Sequence, residues 1–395
     1  MNSKRVFILT LGIGSGHVRA AEVVETALYD CLDPIEVRVL DALTVARHWF
    51  ITLYVRPYYW MLRHAPGLWR WIFERRQRKV HSATAPRWVF RLGCRQAMEQ
   101  LKAYAPHLVI VNEIGAAEIA ALAKREGWFD APIVAVQTDF QTEPPWVQPE
   151  IDMYCVASED ARGQLISWGV SPNRVLVCGI PVDPSFSMDI DKAELLAALG
   201  LDSRKPIVLV MGGGMGAAPL DAIVESLDLC SLPLQVLVVA GHNRDLKRAL
   251  ERLRRKVTLD LRIFGWTDKI PALMAAADVL VTKPGGLTIA EALSAGLPMI
   301  VTHPIPGPEE RHVRYLVRHG VGVQAKTLAE IPLFLTQLLG KSKYLAAMSR
   351  RERDLSRPGA AHAVAQVGRA LIEREGYIDL LASTPASSAE SGYLM

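Results

Sequence analysis

The sequence predicts an α/β fold built from two Rossmann-like, doubly wound domains that face one another across a cleft, and three observations carry that expectation. Short, near-continuous apolar runs recur along the chain with helix-patterned segments between them, the pattern of buried parallel strands. Several of these runs end in glycine-rich loops, as at Gly12-Ile13-Gly14-Ser15-Gly16, Gly212-Gly213-Gly214 and Pro284-Gly285-Gly286. A chain of 395 residues also exceeds what one ordinary hydrophobic core organises, so two domains are expected.

Taken in order, strands are expected near residues 5–10, 36–40, 108–112, 133–137, 153–157 and 174–178, making a first domain over 1–187. Gly179-Ile180-Pro181-Val182-Asp183-Pro184 reads as the loop leaving it, and a short helix at 192–199 leads to Lys205-Pro206. A second set of strands, at 207–211, 234–240, 261–264, 279–282 and 299–301, gives a second domain over 188–356. It repeats the architecture without repeating the sequence. Arg357-Pro358-Gly359 sets off a last helix, expected at 360–375, so that residues 357–380 return to the first domain. The serine- and alanine-rich residues 381–395 are expected to be a disordered tail.

Composition excludes several classes of protein. Half the residues are hydrophobic, yet no uninterrupted apolar run of about 18 residues exists, and the first strand starts too early to leave room for a signal peptide. A cytoplasmic chain that does not span a membrane is therefore expected. The five cysteines, Cys31, Cys94, Cys155, Cys178 and Cys230, form no C-x-x-C pair and read as reduced thiols, and no histidine or carboxylate cluster has metal-ligand spacing. The net charge of +4 is mild but unevenly spread. Between Ala42 and Met98 the only acidic residue is Glu74, whereas five of the nine tryptophans (Trp49, Trp60, Trp69, Trp71 and Trp88) stand among ten arginines there. Basic groups suit anionic headgroups and amphipathic rings suit the bilayer boundary, so residues 45–95 read as a membrane-associating surface. The tryptophan density favours membrane over nucleic acid, and a basic helical surface over core aromatics is the competing reading.

The glycine loops carry the chemistry. In Thr282-Lys283-Pro284-Gly285-Gly286-Leu287-Thr288-Ile289-Ala290-Glu291 a buried strand, a turn and a helix expected from Thr288 point free backbone N–H groups at a phosphate, and Glu291 can accept from a ribose diol. At Gly14-Ser15-Gly16-His17 the glycines allow close approach of a ligand, and His17, its basicity lowered by the helix start, is able to take a proton. The loop does not complete a dinucleotide fingerprint. Gly213 and Gly214 open the second domain with another loop suited to a pyrophosphate. Phe264-Gly265 is a place for a base to lie against main chain, and Glu309 and Glu310 are acceptors for a sugar's hydroxyls.

Together these residues resemble a known family, the inverting two-domain glycosyltransferases that include the monogalactosyldiacylglycerol synthases and the bacterial diacylglycerol glucosyltransferases, with the peptidoglycan lipid-intermediate transferase as a more distant relative. The resemblance runs from Val6 to about Gly368. It rests on Gly14-Ser15-Gly16-His17 leading into Ala20-Ala21, on Met211-Gly212-Gly213-Gly214, and on the Lys283 to Ala292 turn and helix ending at Gly296-Leu297-Pro298. Val136-Gln137-Thr138-Asp139-Phe140 with Trp146, Gly179-Ile180-Pro181-Val182 with Ser185-Phe186, and the aromatic stretch around Tyr58-Tyr59-Trp60 belong to it too. The resemblance implies the GT-B fold and transfer of galactose or glucose from a UDP-sugar to a lipid hydroxyl, diacylglycerol first and a polyprenyl lipid second, without an obligatory metal or other cofactor. It also implies His17 or Asp139 as base, inversion to a β-glycoside, and work at the cytoplasmic face of an anionic membrane as a peripheral protein.

The chain departs from the family pattern at three places. Where relatives carry a histidine four residues past the aspartate, this chain has Glu143; where they often have a histidine-proline pair, it has Asn112-Glu113; and the donor motif reads Gly307-Pro308-Glu309-Glu310, with His312 at a position usually asparagine. The first two are expected on the acceptor side and the third at the sugar. A nucleotide-sugar epimerase of the same architecture and a silent UDP-sugar sensor are the alternatives from other classes. The epimerase has no use for a membrane surface, and the sensor has none for both His17 and Asp139.

Overall fold

A computed structural model describes residues 3–373 except 81 and 215–217. Six strands, β1 (Lys4–Thr10), β2 (Ile35–Asp41), β3 (Leu108–Val111), β4 (Ile133–Val136), β5 (Met153–Val156) and β6 (Val175–Val177), form one sheet. Six more, β7 (Ile207–Met211), β8 (Gln235–Val239), β9 (Asp260–Phe264), β10 (Val279–Thr282), β11 (Met299–Val301) and β12 (Gly322–Gln324), form the second. The orders are β2-β1-β3-β4-β5-β6 and β12-β11-β10-β7-β8-β9, and every pairing is parallel. The central strands β3, β4, β7 and β10 are buried along their whole length, which is why their sequences are apolar runs without alternation. β12 was not expected, because Gly322-Val323-Gln324 holds one apolar residue and lies at a sheet edge.

Each sheet has a hydrophobic cluster on both faces. One face of the first sheet is covered by helix Ser15–Cys31 and by the last described helix, Ala360–Glu373, through Val24, Leu28, Val364, Ala365 and Val367. Gly368 comes so close to β3 that a Cβ there would lie 2.7 Å from Leu108 Cδ2. The expected end of this helix and the expected disordered tail lie outside the described residues.

The chain order places two reversals side by side. In the first sheet the connection from β1 goes to one side and that to β3 returns to the other, so the crevice of a doubly wound sheet opens at the carboxyl ends of β1 and β3. In the second it opens at the ends of β7 and β10. Gly14 to His17 and Asn112 follow the first pair, and Gly212 to Gly214 and Lys283 to Gly286 the second.

The aromatic-basic segment divides between core and surface. It forms helix His48–Phe50, a π turn at Ile51–Val55, and helices Arg56–His64, Pro66–Gln77 and Arg87–Gly93. Phe50, Trp69, Phe73 and Phe90 are buried, while Trp60, Trp71 and Trp88 are 58%, 56% and 60% exposed beside exposed Leu53, Tyr59 and Leu68. The core-aromatic reading thus holds for the first four rings, and the other three tryptophans lie on the surface. No helix among the described residues is long and apolar enough to cross a membrane.

Candidate active site at the facing strand ends

The two crevices meet. Gly16 packs toward Leu287, where a Cβ would be 3.4 Å from Leu287 Cβ; a Cβ on Gly286 would run into the Thr138 carbonyl, and one on Gly214 into the Ser15 hydroxyl. Main chain from one domain thus lies directly against the other.

On the first domain's side, His17 Nδ1 lies 3.2 Å from the Asn112 carbonyl oxygen and 3.0 Å from Thr138 Oγ1, and the Asn112 amide donates to the His17 carbonyl at 2.5 Å. A carbonyl only accepts, so Nδ1 carries the proton and the lone pair resides on Nε2, the tautomer required of a base. Burial holds the imidazole below its ordinary value, with Asp139 and the Asn112 carbonyl pulling the other way. His17 is therefore neutral near pH 7, as the sequence argued, with burial as the leading cause.

Asp139 is not free. Its Oδ1 lies 3.2 Å from Nε2 of His312, whose Nδ1 donates to the Pro284 carbonyl at 2.9 Å. Burial pushes the Asp139 carboxyl up, but His312, His17 and Arg311 outweigh it and leave it below its ordinary value. For His312, burial works downward and the bond to Asp139 outweighs it upward. The residue at the unusual position in the donor motif thus spans the cleft from the helix Pro308–His319 to the first domain. At the ends of β1, β3 and β4, Thr10 Oγ1, Asn112 Oδ1 and both ends of the Gln137 amide are buried without a protein partner among the described residues.

On the second domain's side the helix Gly286–Ala295 begins two residues earlier than expected, with Gly285 as a cap that offers no side-chain acceptor. Its first N–H groups are left for a ligand. Thr288 becomes the third helical residue. Glu291 lies further along the same helix, where burial drives its carboxyl up to about 8, with Arg19 opposing and Asp183 adding to the rise. Gly213, at φ 75, carries the loop after β7 over Lys283, where a Cβ would be 3.1 Å from Lys283 Cε. Phe264 ends the edge strand β9 and Gly265 follows it, joined to this loop by the stacked rings of His242 and Trp266, 4.1 Å apart, the Trp266 ring reaching Gly214.

The two adjacent carboxylates have different partners. Glu309 is buried, pairs with Lys283 and accepts from the Ile305 N–H at 2.8 Å, which keeps it beside the Gly285 turn. Glu310 is turned away: it binds Arg70 of the first domain and accepts from the Gly307 N–H at 3.0 Å. Both expected sugar acceptors are thus engaged by protein groups, Glu309 beside the Gly285 turn and Glu310 by the first domain. Two departures expected at the acceptor also have structural partners. Glu143 pairs with Arg76 and takes a bond from Gln77 at 3.2 Å, and Glu113 caps helix Ile114–Arg125 through the Gly115 and Ala116 N–H groups, at 2.6 and 3.1 Å.

Two doubly wound sheets with their reversal points opposed, one edge carrying His17 and the other an uncapped helix start, define the GT-B class. Two solved structures share the fold: Acinetobacter baumannii MurG, 16% identical with a TM-score of 0.62 over 93% of this chain and 99% of that one, and the UDP-GlcNAc 2-epimerase of Neisseria meningitidis bound to UDP-GlcNAc, 15% identical with a TM-score of 0.60 over 92% and 98%. Within that class the family is specific. The monogalactosyldiacylglycerol (MGDG) synthase model matches residues 17–182, and the glycosyltransferase family 28 C-terminal domain model matches 207–364. The chain is 30% identical to a processive diacylglycerol beta-glucosyltransferase of Bacillus cytotoxicus, over 92% of this chain and 93% of that one. It is 31% identical to the chloroplastic monogalactosyldiacylglycerol synthase of Spinacia oleracea, over 90% and 70%. The chain belongs to this family of glycosyltransferases.

Proposed function

We propose that the protein transfers a hexose, galactose or glucose, from a UDP-sugar to the hydroxyl of diacylglycerol, with inversion, at an anionic membrane surface on the cytoplasmic side. The observation that carries the reading is the placement of His17, in its Nδ1–H tautomer, on the strand-end edge opposite the uncapped start of helix Gly286–Ala295. The named activities of relatives at about 30% identity over most of the chain support the substrate class.

In this reading His17 Nε2 takes the proton from the acceptor hydroxyl as its oxygen bonds to the anomeric carbon, and the bond from that carbon to the UDP oxygen breaks on the opposite side. Inversion to a β-glycoside follows. Asp139, ionised and close enough to act on His17, stabilises the imidazolium that forms. The leaving diphosphate meets main-chain donors of the Gly213-Gly214 loop and the Gly285-Gly286-Thr288 helix start, with Lys283 as the nearby cation; the reading assigns that charge to fixed dipoles instead of a metal. Glu291 holds the ribose, Phe264 and Gly265 flank the base, and Glu309 is the sugar's acceptor.

The test is mass spectrometry of lipids after incubating the protein with anionic vesicles containing diacylglycerol and either UDP-galactose or UDP-glucose. A new hexosyl-diacylglycerol with one donor is expected. UDP release without that product would assign a different acceptor, a polyprenyl lipid being next, and no turnover of either donor would sink the reading.

A further inference from the structure

Helix Pro66–Gln77 has two working faces. Toward the protein it presents Trp69, Phe73 and Arg76, at the spacing of one helical side. Trp69 Nε1 donates to the Pro306 carbonyl at 3.0 Å, and Phe73 lies under Gly307 so closely that a Cβ there would be 2.7 Å from its ring carbons. The Arg311 guanidinium stands 4.9 Å over the same ring, and Arg70 on the flank pairs with Glu310. The partners of Trp69, Phe73 and Arg70 fall in residues 304–311, whereas Arg76 is held by Glu143 of the first domain. That segment is held from its other side by the Lys283–Glu309 pair, so it is clamped between the helix and the Gly285 turn. Toward solvent the same helix presents Leu68 and Trp71, with the Arg75 guanidinium 5.4 Å over the Trp71 ring. Trp71, Glu74, Arg75, Arg78 and Lys79 line a pocket of about 250 Å³, apolar and cationic together, as an interfacial surface requires.

The clamped segment and its approach depend on such support. His303 has φ 49, a left-handed conformation that non-glycine residues seldom adopt, and Gly307 has φ 89. Backbone of this kind persists where surrounding contacts over-determine it. The helix supplies those at Pro306, Gly307, Glu310 and Arg311.

We propose that helix Pro66–Gln77 is a strap coupling bilayer docking to donor binding: its outer face, seated in an anionic bilayer, fixes its inner face, which holds residues 304–311 in the form that sets Glu309 and Lys283 at the UDP-sugar. The proposal rests on the donor-site reading above and adds a dependence of that site on the membrane. The coupling is reciprocal, so UDP must strengthen vesicle binding by the factor by which vesicles strengthen UDP binding.

The experiment is calorimetric titration of UDP into the full chain, alone and with phosphatidylcholine–phosphatidylglycerol vesicles, with sedimentation reporting the vesicle-bound fraction. Vesicles are expected to tighten UDP binding by about fivefold or more, the lower end of measured couplings. Trp69→Phe keeps an aromatic ring and removes the bond to Pro306; it is expected to sediment with vesicles like the parent while losing most of the tightening. Trp71→Ser, on the outer face, is expected to lose vesicle binding and the tightening together. Equal UDP affinity for free and vesicle-bound parent overturns the strap and leaves the donor site standing, as does full tightening in Trp69→Phe. Failure of UDP to bind under either condition overturns the donor-site reading and the strap with it.

Discussion

The two facing edges of the site are made of different materials. The first domain's edge is built from side chains: His17, Asn112, Thr138 and Asp139 form a hydrogen-bonded and charged set at the ends of β1, β3 and β4. The second domain's edge is built largely from main chain, with Gly213, Gly214, Gly285 and Gly286 and an uncapped helix. In the proposed reaction a proton moves on the first edge, which calls for groups whose basicity the surroundings can set. On the second a charge already present must be held, which fixed dipoles do without reorganising.

Variants that separate the two edges test the contrast. The largest effect is expected for His17→Ala: turnover falls at least about a hundredfold while UDP affinity stays at the parent's value. Loss of UDP affinity instead would erase the distinction between edges. Next comes Gly286→Ala, whose Cβ would collide with the Thr138 carbonyl and push the helix start away from the first domain. Its donor KM is expected to rise by about tenfold, the loss of roughly one good hydrogen bond to a charged group. A normal KM would mean that the domains part there at no cost.

A smaller effect concerns Glu291, a titratable side chain on the main-chain edge. Glu291→Gln is expected to weaken UDP by a few-fold to tenfold above pH 8, where the parent carboxyl is ionised. Because burial holds the free carboxyl near 8, the parent's UDP affinity should rise as pH passes upward through that value and the acceptor ionises, and the variant's should not. Isothermal titrations between pH 6.5 and 9 would read both, on the order of the shift cited. The smallest effect is on stability. Glu113 and Glu118 are raised to about 8 and about 7, burial being the leading cause in each, so their protonated forms belong to the folded state. That contribution is complete below their ordinary value of 4.5 and is lost as pH rises through 7 and 8. The ligand-free melting temperature should therefore decline across this window, and Glu118→Gln should flatten the decline; an unaltered slope would remove Glu118 from the account.

What the sequence disclosed follows the same contrast. Main-chain features are written locally: a strand, glycines and a helix lie within a dozen residues, so the loops after β1, β7 and β10 were legible. Side-chain partnerships were not. Glu309 and Glu310 are neighbours in sequence, yet one pairs with Lys283 and the other with Arg70, in the other domain. The bond between Asp139 and His312 joins residues whose relation only the folded cleft creates. The aromatic-basic stretch was visible as composition, but which rings face the core depends on where each short helix turns, so Trp69 and Trp71, two residues apart, serve opposite sides.

The returning helix Ala360–Glu373 has a consequence for how the molecule is made. Val364, Ala365 and Val367 complete a hydrophobic layer begun by Val6, Ile8 and Leu28. On a ribosome, which delivers the chain from its amino end, the first domain waits with that face covered only by helix Ser15–Cys31 until the whole second domain has been synthesised. One face of the second sheet is filled by its own domain's residues, and the other also takes Phe140, Ala157, Ile180, Val182 and Phe186 from the first domain. A layer begun at the amino end is thus completed only at Ala360–Glu373, and a chain cut short before Ala360 would leave part of an apolar sheet face open to chaperones even with every residue of the proposed active site present.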